Sequence, residues 1–192
     1  TSVQYTWDTS AVAPQMALAT DSGNTADGIT NIATVNITGL ETGATWQYRV
    51  DGGDWTIGAG TSFNLSANAH SYAVRQTDVA GNVSAASAAI NYTYESAAAT
   101  PTLTLSADTG TSTSDGITSN QVVNVGTLGI GATWQYQIDS GAWTNGTGST
   151  LNLIDGTHTY TVHQTDVAGN LSSDSTSVQY TWDTSAVAPQ MA

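Results

Sequence analysis

The 192 residues include no cysteine, no lysine and a single phenylalanine. Without thiols there are no disulfides and no thiolate chemistry, which removes the usual staple of a small extracellular domain and leaves bound metal as a substitute. The shortage of cations excludes more. Arg49 and Arg75 stand against thirteen Asp and two Glu, giving a net charge of −13. Phosphate backbones and anionic lipid headgroups are recognised through Lys and Arg, so nucleic acid and membrane surfaces drop out as partners, and divalent cations come in. No apolar run approaches the roughly 20 residues of a membrane helix, and no basic-then-apolar leader opens the sequence. Prolines number three. Thr, Ser, Gly, Asn and Ala are abundant, in keeping with turn-rich β-structure, and regular apolar alternation argues against disorder.

What is present is repetition. The block Gly43-Ala44-Thr45-Trp46-Gln47-Tyr48 returns as Gly131 to Tyr136, and Gln76-Thr77-Asp78-Val79-Ala80-Gly81-Asn82 returns as Gln164 to Asn170, both displaced by 88 residues. The opening Thr1 to Ala17 recurs unchanged at Thr176 to Ala192. Periodicity of this kind marks a modular array. The expected division is the last strand of a preceding repeat at residues 1–8, full repeats at 9–95 and 96–183, and a linker with the first strand of a following repeat at 184–192. A unit of about 88 residues closes its own core, although a module this small is only modestly stable.

Within a repeat, period-two alternation recurs every 8 to 12 residues or so with turn signals between, the pattern of a sandwich or barrel. Seven strands are expected in the first unit. They are marked by Met16 and Leu18, Val35 and Ile37, Trp46 with Tyr48 and Val50, Trp55 after an Asp51-Gly52-Gly53-Asp54 hairpin turn, Phe63 and Leu65, Tyr72 and Val74, and Ile90 with Tyr92 and Tyr94. The second unit repeats the plan. A Trp on the third strand, with Tyr72 or Tyr160 two residues before a core valine, fits an all-β fold of two tandem immunoglobulin-like β-sandwich domains, in which each Tyr suits either a tyrosine corner or plain filling of the core, and both give the same fold.

Strand direction then assigns the loops to poles. The loop holding Asp21 and Asp27 falls at the outgoing pole beside Glu95, and the turn holding Asp78 falls at the incoming pole beside Asp8. With the repeats in sequence, Asp21, Asp27, Glu95 and Asp166 are expected at one seam. Asp8 with Asp78, and Asp108 with Asp115 and Asp183, form the outer half-seams. Carboxylate clusters suit Ca²⁺, which takes six to eight oxygens in flexible geometry. The same residues also suit plain turn chemistry, since Asp caps its own loop readily. No EF-hand loop and no glycine-rich nonapeptide ladder occurs.

Other constellations are weaker. His158 and His163, five apart, point to opposite faces of one strand and cannot share a metal. His70 is matched by His158 only in position. Asp51 and Asp54 as an acid pair would survive in one copy only, because the second unit has Asp139 and Ala142. Trp55 and Trp143 suit either sugar stacking or covering of the sandwich edge. No catalytic residue set completes itself, so an enzyme is not expected.

Four linked motifs carry a resemblance. The linker Asp183-Thr184-Ser185-Ala186-Val187-Ala188-Pro189, the loop Asp108 to Thr118, the strand Gly131 to Tyr136 and the turn Gln164 to Asn170 together resemble the bacterial immunoglobulin-like extender repeats of giant RTX and biofilm-associated adhesins. The resemblance implies structural spacers, exported by type I secretion to the surface of a Gram-negative bacterium. It further implies stiffening by Ca²⁺ at the junctions, with neighbouring repeats of the same chain as the partners and a monomeric state. The chain departs from the pattern where Glu95-Ser96-Ala97-Ala98-Ala99-Thr100-Pro101 replaces the usual Asp-Thr-Thr-Ala-Pro, and in a first loop one residue shorter. The alternative readings are a glycan- or surface-binding adhesin module and an accessory domain of a polysaccharide-degrading enzyme.

Overall fold

The computed structural model describes residues 2–186, which divide into two compact units, Thr1–Ser96 and Ala97–Ala192. Residues 187–192, within the expected following linker and strand, lie outside the described residues. The first unit contains β1 (Gln15–Leu18), β2 (Ile29–Thr30), β3 (Thr34–Thr38), β4 (Thr45–Val50), β5 (Thr56–Ile57), β6 (Ser62–Asn64), β7 (Asn68–Thr77) and β8 (Ile90–Tyr94). They form a three-stranded sheet in the order β1-β3-β6 and a five-stranded sheet in the order β2-β8-β7-β4-β5.

Alternation decides what each strand buries. Met16, Val35, Ile37 and Phe63 of the smaller sheet meet Trp46, Tyr72, Val74 and Tyr92 of the larger in one core. Phe63 stacks on Tyr48 with ring centroids 4.6 Å apart. The Trp46 indole donates Nε1–H to the Gly60 carbonyl at 2.8 Å, and Gly58 is bare because any side chain there would run into that indole.

The second unit repeats this plan with β9 (Thr102–Leu105), β10 (Ile117–Thr118), β11 (Val122–Gly126), β12 (Thr133–Ile138), β13 (Thr144–Asn145), β14 (Thr150–Asn152), β15 (Gly156–Thr165) and β16 (Val178–Trp182). Leu103, Val123, Val125, Trp134, Leu151, Leu153, Tyr160 and Val162 form its core. Two sandwiches of the immunoglobulin kind result, as the strand pattern predicts. The tyrosine corners are formed: the Tyr72 hydroxyl accepts from the Ser66 amide at 2.9 Å, and that of Tyr160 from the Ile154 amide at 3.0 Å.

Each unit has one strand more than expected. β2 and β10 are two-residue pieces inside the first loop, and each runs parallel to the last strand of its unit, Ile29 opposite Thr93 and Ile117 opposite Thr181. Two residues cannot show an alternation, and their inward side chains are the buried threonines Thr30 and Thr118. The hydroxyls of these threonines donate to the Thr20 and Ala107 carbonyls, each at 2.8 Å, pinning the first loop against the sheet.

Pairing partners, not residue preferences alone, decide strand formation here. Val178–Trp182 is β16, hydrogen-bonded to β15 and β10. The identical Val3 to Trp7 forms no strand, and its Val3, Tyr5 and Trp7 side chains are exposed.

The hairpin turn is tied down electrostatically. Asp51 and Gly52 both have positive φ, 50° and 70°, as a two-residue type I′ turn requires. Asp51 Oδ1 accepts from the Ser71 amide at 2.8 Å, while Oδ2 lies 2.7 Å from His70 Nδ1. His70 Nε2 faces the Ala67 carbonyl at 3.0 Å, so both ring nitrogens face pure acceptors. His158 repeats the arrangement with Asp139 and the Asp155 carbonyl, which makes it a true counterpart of His70 and not a match in position alone. The hydrogen bond to the carboxylate raises both histidines above the ordinary imidazole value. Backbone amide donation and the histidine bond lower Asp51 and Asp139.

The raised histidine stabilises the fold below a pH of about 6.5, and that contribution is lost as pH rises through its folded value; the lowered Asp contributes above about 4, and that part is lost as pH falls. The ties are therefore strongest between these limits. Proton NMR titration is expected to place the His70 and His158 midpoints above the free imidazole value, and D51N to bring His70 down without moving His158. A His70 midpoint that ignores D51N would contradict the assignment.

Candidate metal centres

The incoming pole of the first unit is built around a buried glutamine. Gln76 sits on β7, is 1% exposed, and opens the repeated Gln-Thr-Asp motif. Its Oε1 accepts from the Glu41 amide at 2.9 Å, and its Nε2 donates to the Val12 carbonyl at 2.6 Å and the Gly39 carbonyl at 3.1 Å. One side chain thus clamps the incoming segment and the β3–β4 loop onto β7. Gln164 does the same in the second unit, accepting from Gly129 at 2.8 Å and donating to Ala99 at 2.6 Å and Thr127 at 2.9 Å.

Two residues beyond Gln76 the chain turns. The Asp78 carboxylate accepts from the Asn82 amide at 2.8 Å and from the Asn82 side chain at 2.7 Å. The Asn82 side chain also donates to the Asp8 carbonyl at 3.1 Å, drawing the incoming segment to the turn. Asp78 is buried, and these donated hydrogen bonds, led by that of the Asn82 side chain, hold it below the usual carboxylate range. It is a fixed negative charge at neutral pH.

Glu41 completes the arrangement. Its Oε1 accepts from the Val12 amide at 2.9 Å. One carboxylate oxygen from each of Asp8, Glu41 and Asp78 lies within 4.8 Å of the others, a group that can hold a metal ion. Asp8 beside Asp78 is as the pole argument expects. Glu41 has no signal of its own, because it looks like part of the Glu41-Thr42-Gly43 turn and the second unit has Gly129 at its position. What betrays it is the glutamine two positions ahead of Asp78.

At the outgoing pole of the first unit, Asp21, Asp27 and Glu95 come from the elements expected. The Glu95 amide donates to the Thr30 carbonyl at 3.0 Å, placing the end of β8 beside the first loop. Asp21 Oδ2 accepts from the Ala26 amide at 2.9 Å and the Gly28 amide at 3.3 Å, and Asp27 Oδ1 accepts from the Ile29 amide at 2.8 Å. These are loop-capping bonds. Asp21 Oδ1 is nonetheless buried with no hydrogen-bond partner, and Asp108 Oδ1 in the second unit is the same. Asp108 Oδ2 accepts from the Gly116 amide at 3.0 Å, Asp115 Oδ1 from the Ile117 amide at 3.1 Å, and Asp183 Oδ1 from the Ser185 amide at 2.9 Å. Among the described residues no trio of acids gathers at this pole as closely as Asp8, Glu41 and Asp78 do at the other. Asp166, in the second unit, is held by Asn170 as Asp78 is by Asn82, at 2.8 and 2.9 Å.

The donor set fits a hard cation. All three ligand atoms of the cluster are carboxylate oxygens, the donors Ca²⁺ prefers over the nitrogen and sulfur of zinc sites. A buried carboxylate oxygen without a donor, such as Asp21 Oδ1, is a costly arrangement that a cation would relieve.

No protein-family model and no curated protein sequence matches the chain. Among solved structures, it is similar to one described as giving structural insight into host cell surface retention of a 1.5-MDa bacterial ice-binding adhesin. That match has 16% identity, a TM-score of 0.42 and coverage of 91% of this chain. The chain spans 65% of the length of that structure. It is also similar to the fibronectin(III)-like modules of Clostridium thermocellum CbhA, with 10% identity, a TM-score of 0.39, and coverage of 92% of this chain and 100% of that one.

Proposed function

We propose that the chain is a pair of extender repeats from a large secreted surface adhesin of a Gram-negative bacterium. In this reading, Ca²⁺ bound at the sandwich poles stiffens the junctions between repeats, so that the array carries a ligand-binding tip away from the cell. The observation that carries the reading is the meeting of Asp8 from the incoming segment with Glu41 and Asp78 from the sandwich itself. A cation held there ties the segment that leads into a repeat to the repeat's own body. When bound, the ion supplies charge neutralisation among three carboxylates and a crosslink; Gln76 and Asn82 hold the ligands in place.

Repetition supports the same reading. A chain that duplicates its core, its turns and its tyrosine corners gains length with each copy. Enzymatic activity is not part of the proposal. The absence of lysine also suits an acidic rod that repels itself without Ca²⁺ and becomes ordered after export into a calcium-rich medium.

Small-angle scattering of the chain in millimolar Ca²⁺ and in chelator tests the mechanical claim. The proposal expects a larger maximum dimension and radius of gyration with Ca²⁺. Superimposable profiles would remove the stiffening role.

A further inference from the structure

The only two arginines of this chain meet on one tryptophan. The Arg49 guanidinium, from β4, lies 4.8 Å from the centre of the Trp55 ring, and that of Arg75, from β7, lies 4.2 Å from it. Arg75 Nε donates to Gln47 Oε1 at 3.0 Å, which fixes its plane. Stacking uses the π-face of a guanidinium and leaves its N–H edge open, already arranged for two parallel bonds to a carboxylate. In a chain with fifteen acids, neither arginine has a carboxylate within 4.0 Å among the described residues.

The sibling unit shows what that open edge is suited to receive. There His163 takes the place of Arg75 and stacks on Trp143 with centroids 3.8 Å apart. Its Nε2 lies 3.0 Å from Gln135 Oε1, the counterpart of Gln47, and its Nδ1 lies 3.0 Å from Asp174. The first unit keeps the register in this stretch. Ser84 and Ser87 accept from the Gln76 and Val74 amides at 3.0 and 3.1 Å, as Ser172 and Ser175 do from Gln164 and Val162. Where the second unit has Asp174, the first has Ala86, small and exposed. A nitrogen-bearing group stacked on the tryptophan is kept, and the carboxylate is missing.

We propose that Arg75 and Arg49, held on Trp55, bind the carboxylate of an acidic saccharide, which takes in the first unit the place that Asp174 fills in the second. The class of ligand follows from the surface around the pair. Thr45, Gln47 and Thr77 share the outer face of β4 and β7 with the arginines and offer two hydroxyls and an amide, and the large apolar groups beside them are Trp55 and the exposed Ile57, paired with Gln47 from β5. A protein interface wants a dehydrated apolar centre, whereas a hydrated uronate needs a charged anchor and polar neighbours. At 0.15 M salt, charges beyond about 8 Å are screened, so the net charge of the chain does not forbid a local site. This inference goes beyond the spacer reading and does not rest on bound Ca²⁺.

The test titrates the full chain with trigalacturonic acid in chelator at 0.15 M salt, following Trp fluorescence and amide shifts by NMR. The same sugar as its neutral methyl ester and a tri-glutamate peptide serve as comparisons. The proposal expects saturable binding of the acid with shifts at β4, β5 and β7. It expects at least tenfold weaker binding in R49Q/R75Q, with an unchanged spectrum elsewhere, and none for the ester. Ala86→Asp, which restores the sibling's carboxylate, should block binding while leaving both arginines in place. Equal binding of the ester, binding unaffected by R49Q/R75Q, or binding of tri-glutamate in place of the sugar would each overturn it, the last by pointing to a protein partner.

Discussion

Replacing Gln76 with leucine should destabilise the first unit by about 3 kcal/mol, although no core contact of aromatic or aliphatic kind is lost. The side chain is 1% exposed and its amide satisfies the Glu41 amide and the Val12 and Gly39 carbonyls. Leucine fills similar space and satisfies none of them. Each buried backbone group left without a partner costs about 1–3 kcal/mol, and partial access of water to the incoming segment keeps the total near the lower bound for three. For a unit of this size, about 3 kcal/mol corresponds to a fall in Tm of roughly 12–24 °C. Gln164→Leu should act on the second unit in the same way, since its bonds to Gly129, Ala99 and Thr127 are equivalent. Calorimetry of each variant checks this. A loss below about 1 kcal/mol would mean that the glutamine clamp is incidental.

The glutamine also shows what the sequence makes legible. Its motif is visible as a repeat, and the buried face of every long strand is visible as alternation, because burial of apolar side chains leaves a period. Polar burial leaves none. Gln76, Thr30 and Thr118 are among the most buried side chains of the described residues, yet they read as ordinary surface residues of a Thr- and Ser-rich chain. For this reason the short parallel strands β2 and β10 could not be anticipated, although Asp-Gly-Ile-Thr occurs at the same place in both units. Pole assignment required only strand count and direction, and it placed Asp8 beside Asp78 and Glu95 beside the first loop. An added two-residue strand left that parity intact because it lies within the loop.

Glu41 illustrates the opposite limit. A carboxylate in a turn has no pattern, and comparison of the two units hides it, since Gly129 stands at its position. Only the bonds to Gln76 and Val12 show that the turn is folded back onto the incoming segment. Trp55 by sequence suits sugar stacking or edge cover, and in the fold two guanidinium groups lie on its ring.

Calcium should raise the stability of the first unit in proportion to its occupancy of the Asp8, Glu41 and Asp78 cluster. At a hundredfold excess over the dissociation constant the gain is about 2.7 kcal/mol, or roughly 11–22 °C in Tm. Glu41→Gln keeps an oxygen to accept from Val12 and removes one negative charge. If affinity falls tenfold, the same Ca²⁺ concentration yields about 1.4 kcal/mol. Magnesium, which demands six ligands in tight octahedral geometry, should stabilise less. The second unit has Gly129 in place of Glu41, so its transition should respond less to Glu41→Gln than that of the first, and the two transitions separate the effects.

The most direct measurement is isothermal titration of Ca²⁺ into the chain, wild type against Glu41→Gln and Asp78→Asn, at neutral pH. The account predicts a site with a dissociation constant of about 10⁻⁴ to 10⁻³ M, weakened at least tenfold by either substitution while the folded spectrum is retained. Absence of binding in the wild type, or equal binding in both variants, would contradict it.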